Sequence, residues 1–93
     1  MTELKDTVAM MNSPDYKERF KAEYYQTKVR YEKLKAFNNK IEAAEAMKFT
    51  CDRSKCPEPK HDCPAEMLRE QQSVMGQYLH ILEVRAVIEG IEL

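Results

Sequence analysis

The sequence predicts an all-α protein, and three observations carry that prediction. The chain has only two glycines among its 93 residues, one third of its residues are charged, and runs of β-branched residues are few. Its length fits one small domain, residues 1–93, rather than two. We expect a short N-terminal helix followed by two long antiparallel helices. Because so short a chain buries a marginal core, we also expect these helices to form an oligomeric assembly.

Residues 1–13 are predicted to be an N-terminal extension or a short helix. Leu4, Val8 and Met11 recur there at helical spacing. The sequence then predicts that this first helix ends and that a second helix begins. We expect Ser13 to cap the next helix and Pro14 to occupy its first turn.

Residues 14–47 are predicted to form a basic, aromatic second helix. Residues 16–40 contain eight Lys or Arg and three Glu, which gives a local net charge of +5 in a chain whose formal net charge is −1. The Asn38–Asn39 pair is expected to be a soft point where the helix bends. The expected inward stripe is spaced alternately by four and three residues: Phe20, Tyr24, Thr27, Tyr31, Leu34, Asn38 and Ile41.

Residues 48–63 are predicted to be a loop, because Pro57 and Pro59 exclude regular structure. Three thiolates and one imidazole in this loop make a full tetrahedral set for a structural zinc ion. The spacing matches no common zinc motif, so three reduced cysteines are an equal alternative. An odd cysteine count argues against a disulfide framework. The four candidate zinc ligands are Cys51, Cys56, His61 and Cys63.

Residues 64–93 are predicted to form an apolar third helix that ends at Gly90. One stripe is expected to pack on the second helix: Leu68, Gln71, Met75, Tyr78, Leu82 and Arg85. A second apolar set faces elsewhere: Val74, Ile81, Val84, Val87, Ile88, Ile91 and Leu93. A helix that is apolar nearly all round must be covered. Either a second copy of the chain or the short first helix covers this set.

The basic second helix is the best candidate for ligand binding, since cations interleaved with flat rings suit a ligand made of phosphates and bases. Tyr24 and Tyr31 lie on the inward stripe and are better explained as core residues. Tyr25 lies beside it, and with Lys21, Lys28 and Lys35 it is expected to bind phosphates and stack on a base. No glycine-rich phosphate loop or nucleophile elbow is present in the sequence, so we expect no enzyme. It has neither an apolar run long enough to span a bilayer nor a secretory signal, so we expect a cytoplasmic protein without a membrane partner.

Two segments resemble a known family. They are RFKAEYYQTKVRYEKLKAF at residues 19–37 and LREQQSVMGQYLHILEVRAVIEGI at residues 68–91. Both resemble the small helical phage proteins that act as anti-CBASS cyclic-nucleotide sponges. The resemblance implies a homohexamer in the host bacterial cytoplasm that sequesters cyclic oligonucleotides without cleaving them, as a form of viral immune evasion.

The resemblance also implies roles for particular residues. Tyr24 is expected to stack on a base of a cyclic dinucleotide, and a lysine shortly after Phe37 to contact its phosphates. Lys40 is the nearest lysine, next to Asn39. Cyclic trinucleotides are expected at a separate site, for which Arg69 and Arg85 are candidate cations. The cysteine loop departs from the family pattern as an insertion.

Two other functions compete with the sponge. One is a zinc-stabilised helical adaptor or nucleic-acid-binding regulator, whose basic helix meets the phosphates of DNA or RNA. The sequence pI of about 6.1 argues against a DNA partner, because such domains usually carry a net basic surface. The other is a structural oligomer without a ligand.

Overall fold

The computed structural model describes residues 4–47 and 59–93, and this part of the chain is helical without strands. A 3-10 turn, Leu4–Asp6, leads into α1, Thr7–Met11. The two long helices are α2, Tyr16–Met47, and α3, Ala65–Glu89. The all-α class is therefore confirmed. α2 continues through Asn38 and Asn39 as one helix of 32 residues, so the expected bend does not interrupt it.

α2 begins two residues later than the sequence predicted. The Asp15 carboxylate accepts a hydrogen bond from the Lys17 amide at 3.0 Å, which is the contact that an N-cap residue makes. The Ser13 hydroxyl accepts from the Asp15 amide at 3.1 Å and so supports the turn before the helix. Asp15 rather than Ser13 is thus the cap, and Pro14 lies outside the helix.

The core lies between α2 and α3. Its buried members are Phe20, Tyr24, Leu79, Leu82, Ala86 and Ile91. α3 ends at Gly90, whose φ of 69° is the left-handed conformation that glycine adopts without strain. The chain then turns back, and the Ile91 amide donates to the Ala86 carbonyl at 2.8 Å, which brings the Ile91 side chain into the core.

The inward face of α3 differs from the predicted stripe. Leu82 is buried as expected, but Leu79 and Ala86 are buried beside it, whereas Tyr78 and Arg85 are exposed. The predicted stripe was therefore partly wrong, because Leu68 and Met75 are half-buried as part of the inward face, whereas Leu79 and Ala86 replace their neighbours Tyr78 and Arg85. Apolar residues surround α3 on several sides, so periodicity alone does not select the side that packs.

α1 packs on the side of α2 that faces away from α3. Thr7 of α1 and Ala22 of α2 are both fully buried, and Ala22 lies about 200° around the helix from Tyr24 at 3.6 residues per turn. The Gln26 amide donates to the Thr7 hydroxyl at 2.9 Å. The short first helix therefore lies across α2 from the apolar set of α3.

Asn38 joins the two long helices at their other end. Its side-chain amide is buried and donates to the Leu68 carbonyl at 3.1 Å and to Gln72 Oε1 at 2.9 Å. Both contacts are made to α3, so they fix how α2 and α3 are aligned along their length. Across the described ranges, 4–47 and 59–93, none of the helices has the length and apolar character to cross a membrane.

Candidate ligand-binding groove

A shallow open groove runs between α2 and α3 on the side where Tyr24 and Lys28 lie. Its volume is about 200 Å³. Three aromatic or basic side chains come from α2 and two carboxylates line the walls, so the groove combines rings with charges of both signs. Its lining consists of Tyr24, Lys28, Tyr31, Glu32, Gly76, Leu79 and Glu83.

Tyr24, Tyr25 and Lys28 form a compact basic–aromatic group at the groove. The two tyrosine rings meet edge to face, with centroids 5.3 Å apart and planes at 75°. The Lys28 ammonium lies 5.8 Å from the centroid of the Tyr24 ring, within cation–π range. Tyr25 is half-buried and Lys28 is exposed, so both can meet a molecule that arrives from solvent.

The Tyr24 side chain is part of the core and is only 5 % exposed. Its hydroxyl donates a hydrogen bond of 2.8 Å to the Glu83 carboxylate on α3. Burial of the phenol and, after it, the bond to Glu83 raise the pKa of Tyr24 to about 12. The core explanation of Tyr24, which the helical spacing favoured, is therefore correct for this chain.

Two further tyrosine–glutamate bonds connect the same helices. The Tyr16 hydroxyl donates to Glu89 at 2.9 Å, and the Tyr78 hydroxyl donates to Glu23. In both tyrosines the pKa is raised, chiefly because the hydroxyl donates to a carboxylate, which makes loss of its proton less favourable. The α2 tyrosines Tyr16 and Tyr24 thus connect α2 to carboxylates of α3, a structural role that the sequence did not predict.

Gly76 shapes the groove on the α3 side. A Cβ at this position would lie 3.3 Å from Cε1 of Tyr31, which is tighter than ordinary van der Waals contact. The glycine therefore lets the half-buried Tyr31 ring lie directly against α3. The sequence singled out neither Gly76 nor Glu83 as groove residues.

The remaining predicted site residues divide between two faces of α2. Lys35 is exposed one heptad beyond Lys28, and Asn39 follows it on the same side. Lys40 is exposed on the other side of α2, about 160° around the helix from Tyr24. Lys40 is also sixteen residues from Tyr24, or about 24 Å along the axis. One chain therefore does not bring Tyr24 and Lys40 to the same small ligand.

The predicted zinc set is only partly described, because Cys51 and Cys56 lie outside the described residues. Cys63 is exposed with a free thiol. His61 Nδ1 lies 2.6 Å from the Cys63 carbonyl oxygen, which can only accept, so Nδ1 carries the proton. No group of three or more metal-binding side chains occurs within residues 4–47 and 59–93. Zinc binding therefore stays a prediction.

The comparisons with known proteins give one family match. A family model described as Sequestin matches residues 14–88, which include the whole of α2 and nearly all of α3. No curated protein and no solved structure matches the chain.

Proposed function

The chain belongs to the Sequestin family, and on that premise we propose that it binds cyclic oligonucleotide second messengers and sequesters them without cleaving them. The family match is the observation that carries this proposal, since the name denotes sequestration of a ligand. Cyclic dinucleotides are the expected ligands, with cyclic trinucleotides as a second class. The setting is a phage-infected bacterium, where the protein evades host immunity by removing its alarm signal.

The groove supports this proposal as one half of a binding site. Its volume of about 200 Å³ is below the ~300–1,000 Å³ of pockets that enclose a small molecule. A second protomer across the groove would double the lining and match the twofold symmetry of a cyclic dinucleotide. Lys40 lies on the other side of α2, so it can reach a groove only from a further protomer, across a second kind of boundary. A homohexamer provides such boundaries.

The chemistry of the α2 side suits this ligand. Tyr25 offers a partly exposed ring for stacking, worth about 1–3 kcal/mol per base. Lys28 and Lys35 offer cations for the phosphates, each charged hydrogen bond being worth about 1.5–3 kcal/mol. Glu32 and Glu83 border the same groove and disfavour a long polyanion. That balance favours a small ligand with two or three phosphates over DNA.

The test is calorimetric titration of the purified protein with cyclic di- and trinucleotides and with short DNA. We expect binding of a cyclic nucleotide and none of DNA. Lys28→Ala should weaken binding by about tenfold or more, because it removes one charged contact. Lys33→Ala is the matched control, since it removes the same charge from an exposed residue on the opposite face of α2.

Tyr25→Ala should weaken binding as Lys28→Ala does, through lost stacking. Lys40→Ala tests separately whether Lys40 of a neighbouring protomer contributes to ligand binding. The absence of heat with every cyclic nucleotide would refute the proposed function. Equal weakening by Lys28→Ala and Lys33→Ala would refute the groove as the site.

A further inference from the structure

Glu83 presents a hydrogen-bond acceptor to the groove. Among the three bonds that join a tyrosine to a glutamate across α2 and α3, the bond of Tyr24 to Glu83 is the one that lies in the groove lining. Glu83 is exposed, and within residues 4–47 and 59–93 its one hydrogen bond is the 2.8 Å contact of Oε2 with the Tyr24 hydroxyl. A carboxylate has about four lone-pair sites, so most of its acceptor capacity is left for a ligand.

The bond to Tyr24 holds the Glu83 carboxylate in place. The Tyr24 ring belongs to the core and meets the Tyr25 ring edge to face, so its hydroxyl has a fixed position. Glu32 also lines the groove, but it is exposed and has no hydrogen bond to any residue that the structure describes. Since a group that is already ordered loses less freedom when it binds, Glu83 is the better placed of the two carboxylates to recognise a ligand.

A cation and an acceptor lie beside the same ring. The Lys28 ammonium is 5.8 Å from the centroid of the Tyr24 ring, and the Glu83 carboxylate contacts the hydroxyl of that ring. A nucleotide carries the complementary pair of groups, an anionic phosphate and a base edge with N–H donors. A phosphate beside Glu83 would be repelled by a like charge. The phosphate therefore belongs at Lys28 and the base edge at Glu83.

A carboxylate distinguishes the bases by the donors on their edges. Guanine presents N1–H and an N2 amino group side by side, which matches the two oxygens of Glu83. Adenine and cytosine each place a ring-nitrogen acceptor beside their amino group, and uracil places its N3–H between two carbonyl oxygens. A carboxylate accepts hydrogen bonds and donates none, so each of these three bases brings an acceptor against it. Guanine is thus the base whose edge satisfies both oxygens.

We propose that the groove selects guanine and that Glu83 is the residue that determines this preference. The preference rests on the proposed function, because it names the base of the cyclic dinucleotide. The groove volume of about 200 Å³ is below that of pockets that enclose a whole small molecule, so one base rather than the entire ligand occupies it. Two protomers around a twofold ligand present Glu83 twice. Cyclic di-GMP, in which both bases are guanine, is therefore the preferred ligand.

Calorimetry of the wild type with a series of bases tests the preference without any substitution. The ligands are cyclic di-GMP, cyclic di-IMP and cyclic di-AMP, since inosine keeps the N1–H of guanine but lacks its N2 amino group. Cyclic di-GMP should bind at least about tenfold more tightly than cyclic di-AMP, which is within the discrimination that a good bidentate base contact provides. Cyclic di-IMP should lie between them, because it retains one of the two donors.

Glu83→Gln tests the residue. The amide keeps an oxygen that accepts from the Tyr24 hydroxyl and replaces the other oxygen by a donor, and an acceptor beside a donor is the pair that binds adenine bidentately. The ratio of the two affinities should therefore shift at least about tenfold towards cyclic di-AMP. Glu89→Gln is the matched control, because Glu89 also accepts from a tyrosine, Tyr16 at 2.9 Å, and lies outside the groove lining. Its ratio should equal that of the wild type, and circular dichroism should show that both variants keep their helices.

The outcomes distinguish the guanine preference from the proposed function. Equal affinity for the three ligands, or tighter binding of cyclic di-AMP, would overturn the preference and leave sequestration of cyclic nucleotides standing. No binding of any of them would refute the proposed function as well. An equal shift of the ratio in Glu83→Gln and Glu89→Gln would mean that overall charge, rather than Glu83, sets the preference. If Glu83→Gln loses its helices, the order of the three ligands with the wild type still decides.

Discussion

At the scale of single residues, the hydroxyl of Tyr24 is the contact on which the groove depends. It donates to Glu83 across the interface of α2 and α3, while the ring supports Tyr25 and Lys28. A ring held in this way is a fixed wall rather than a mobile stacking surface. The half-buried Tyr25 beside it is therefore better placed to stack on a base.

This contact predicts how stability depends on alkaline pH. The folded pKa of Tyr24, about 12, exceeds the ordinary value of 10.0, so between these values the unfolded chain holds fewer protons than the folded one. The contribution of Tyr24 to the free energy of unfolding is thus complete below pH 10 and is lost as the pH rises towards 12. Tyr16 and Tyr78 act in the same direction.

Urea denaturation at several pH values from 8 to 11.5 measures this dependence. Tyr24→Phe should flatten the alkaline loss of stability relative to the wild type, and at pH 7 it should cost about 1–2 kcal/mol through the lost bond to a carboxylate. Lysines also lose protons in this pH range, but they do so in both proteins, so the difference between the wild type and Tyr24→Phe reports on Tyr24. An identical slope in both proteins would contradict the assignment.

At the scale of elements, the sequence was informative for α2 and misleading for α3. The alternating stripe predicted that Phe20, Asn38 and Ile41 lie inward, and all three are buried, because charged residues occupy the other sides of α2. In α3 the apolar residues surround the helix, and only contacts with α2 decide that Ala86 is buried while Arg85 stays exposed. Those contacts join residues far apart in the chain, and no local pattern reveals them.

The tyrosines illustrate the same limit. Their clustering among cations suggested a surface for bases and phosphates. In the structure, Tyr16 and Tyr24 donate to glutamates that lie 73 and 59 residues further along the chain. Local composition cannot distinguish a phenol that pairs with a distant carboxylate from one that faces a ligand. Of the predicted ligand residues, the structure brings Tyr24, Tyr25 and Lys28 together and leaves Lys40 apart.

The buried contacts of Asn38 are expected to hold the two long helices in register and so to contribute to the free energy of unfolding. Asn38→Asp should lower the free energy of unfolding by about 2 kcal/mol or more, because it replaces a buried donor by a charge that faces the Leu68 carbonyl. Asn39→Asp is the control, since Asn39 is exposed on the next position of the same helix and should change stability by about 0.5 kcal/mol or less. Urea denaturation at pH 7 compares the two, and equal effects would show that the Asn38 contacts do not set the register.

At the scale of the whole molecule, the helices present three surfaces of different character. The groove side of α2 carries Lys28 and Lys35, and the far side is covered in part by α1. The outer side of α3 exposes large apolar side chains, among them Met67, Val74, Ile81 and Ile88. Positive charge and exposed apolar surface thus lie on different sides of one small chain, and contacts made through the two respond differently to solution conditions.

Ionic strength tests the part that charge plays in the proposed ligand binding. Raising NaCl from 50 to 500 mM shortens the Debye length from roughly 14 Å to about 4 Å. If exposed lysines contact the phosphates of a cyclic dinucleotide, as we propose, its affinity should fall several-fold over this range. Calorimetry at each salt concentration measures the affinity, and Lys28→Ala should reduce its salt dependence, whereas a ligand affinity that does not change with salt would place the cyclic nucleotide away from the lysines of α2.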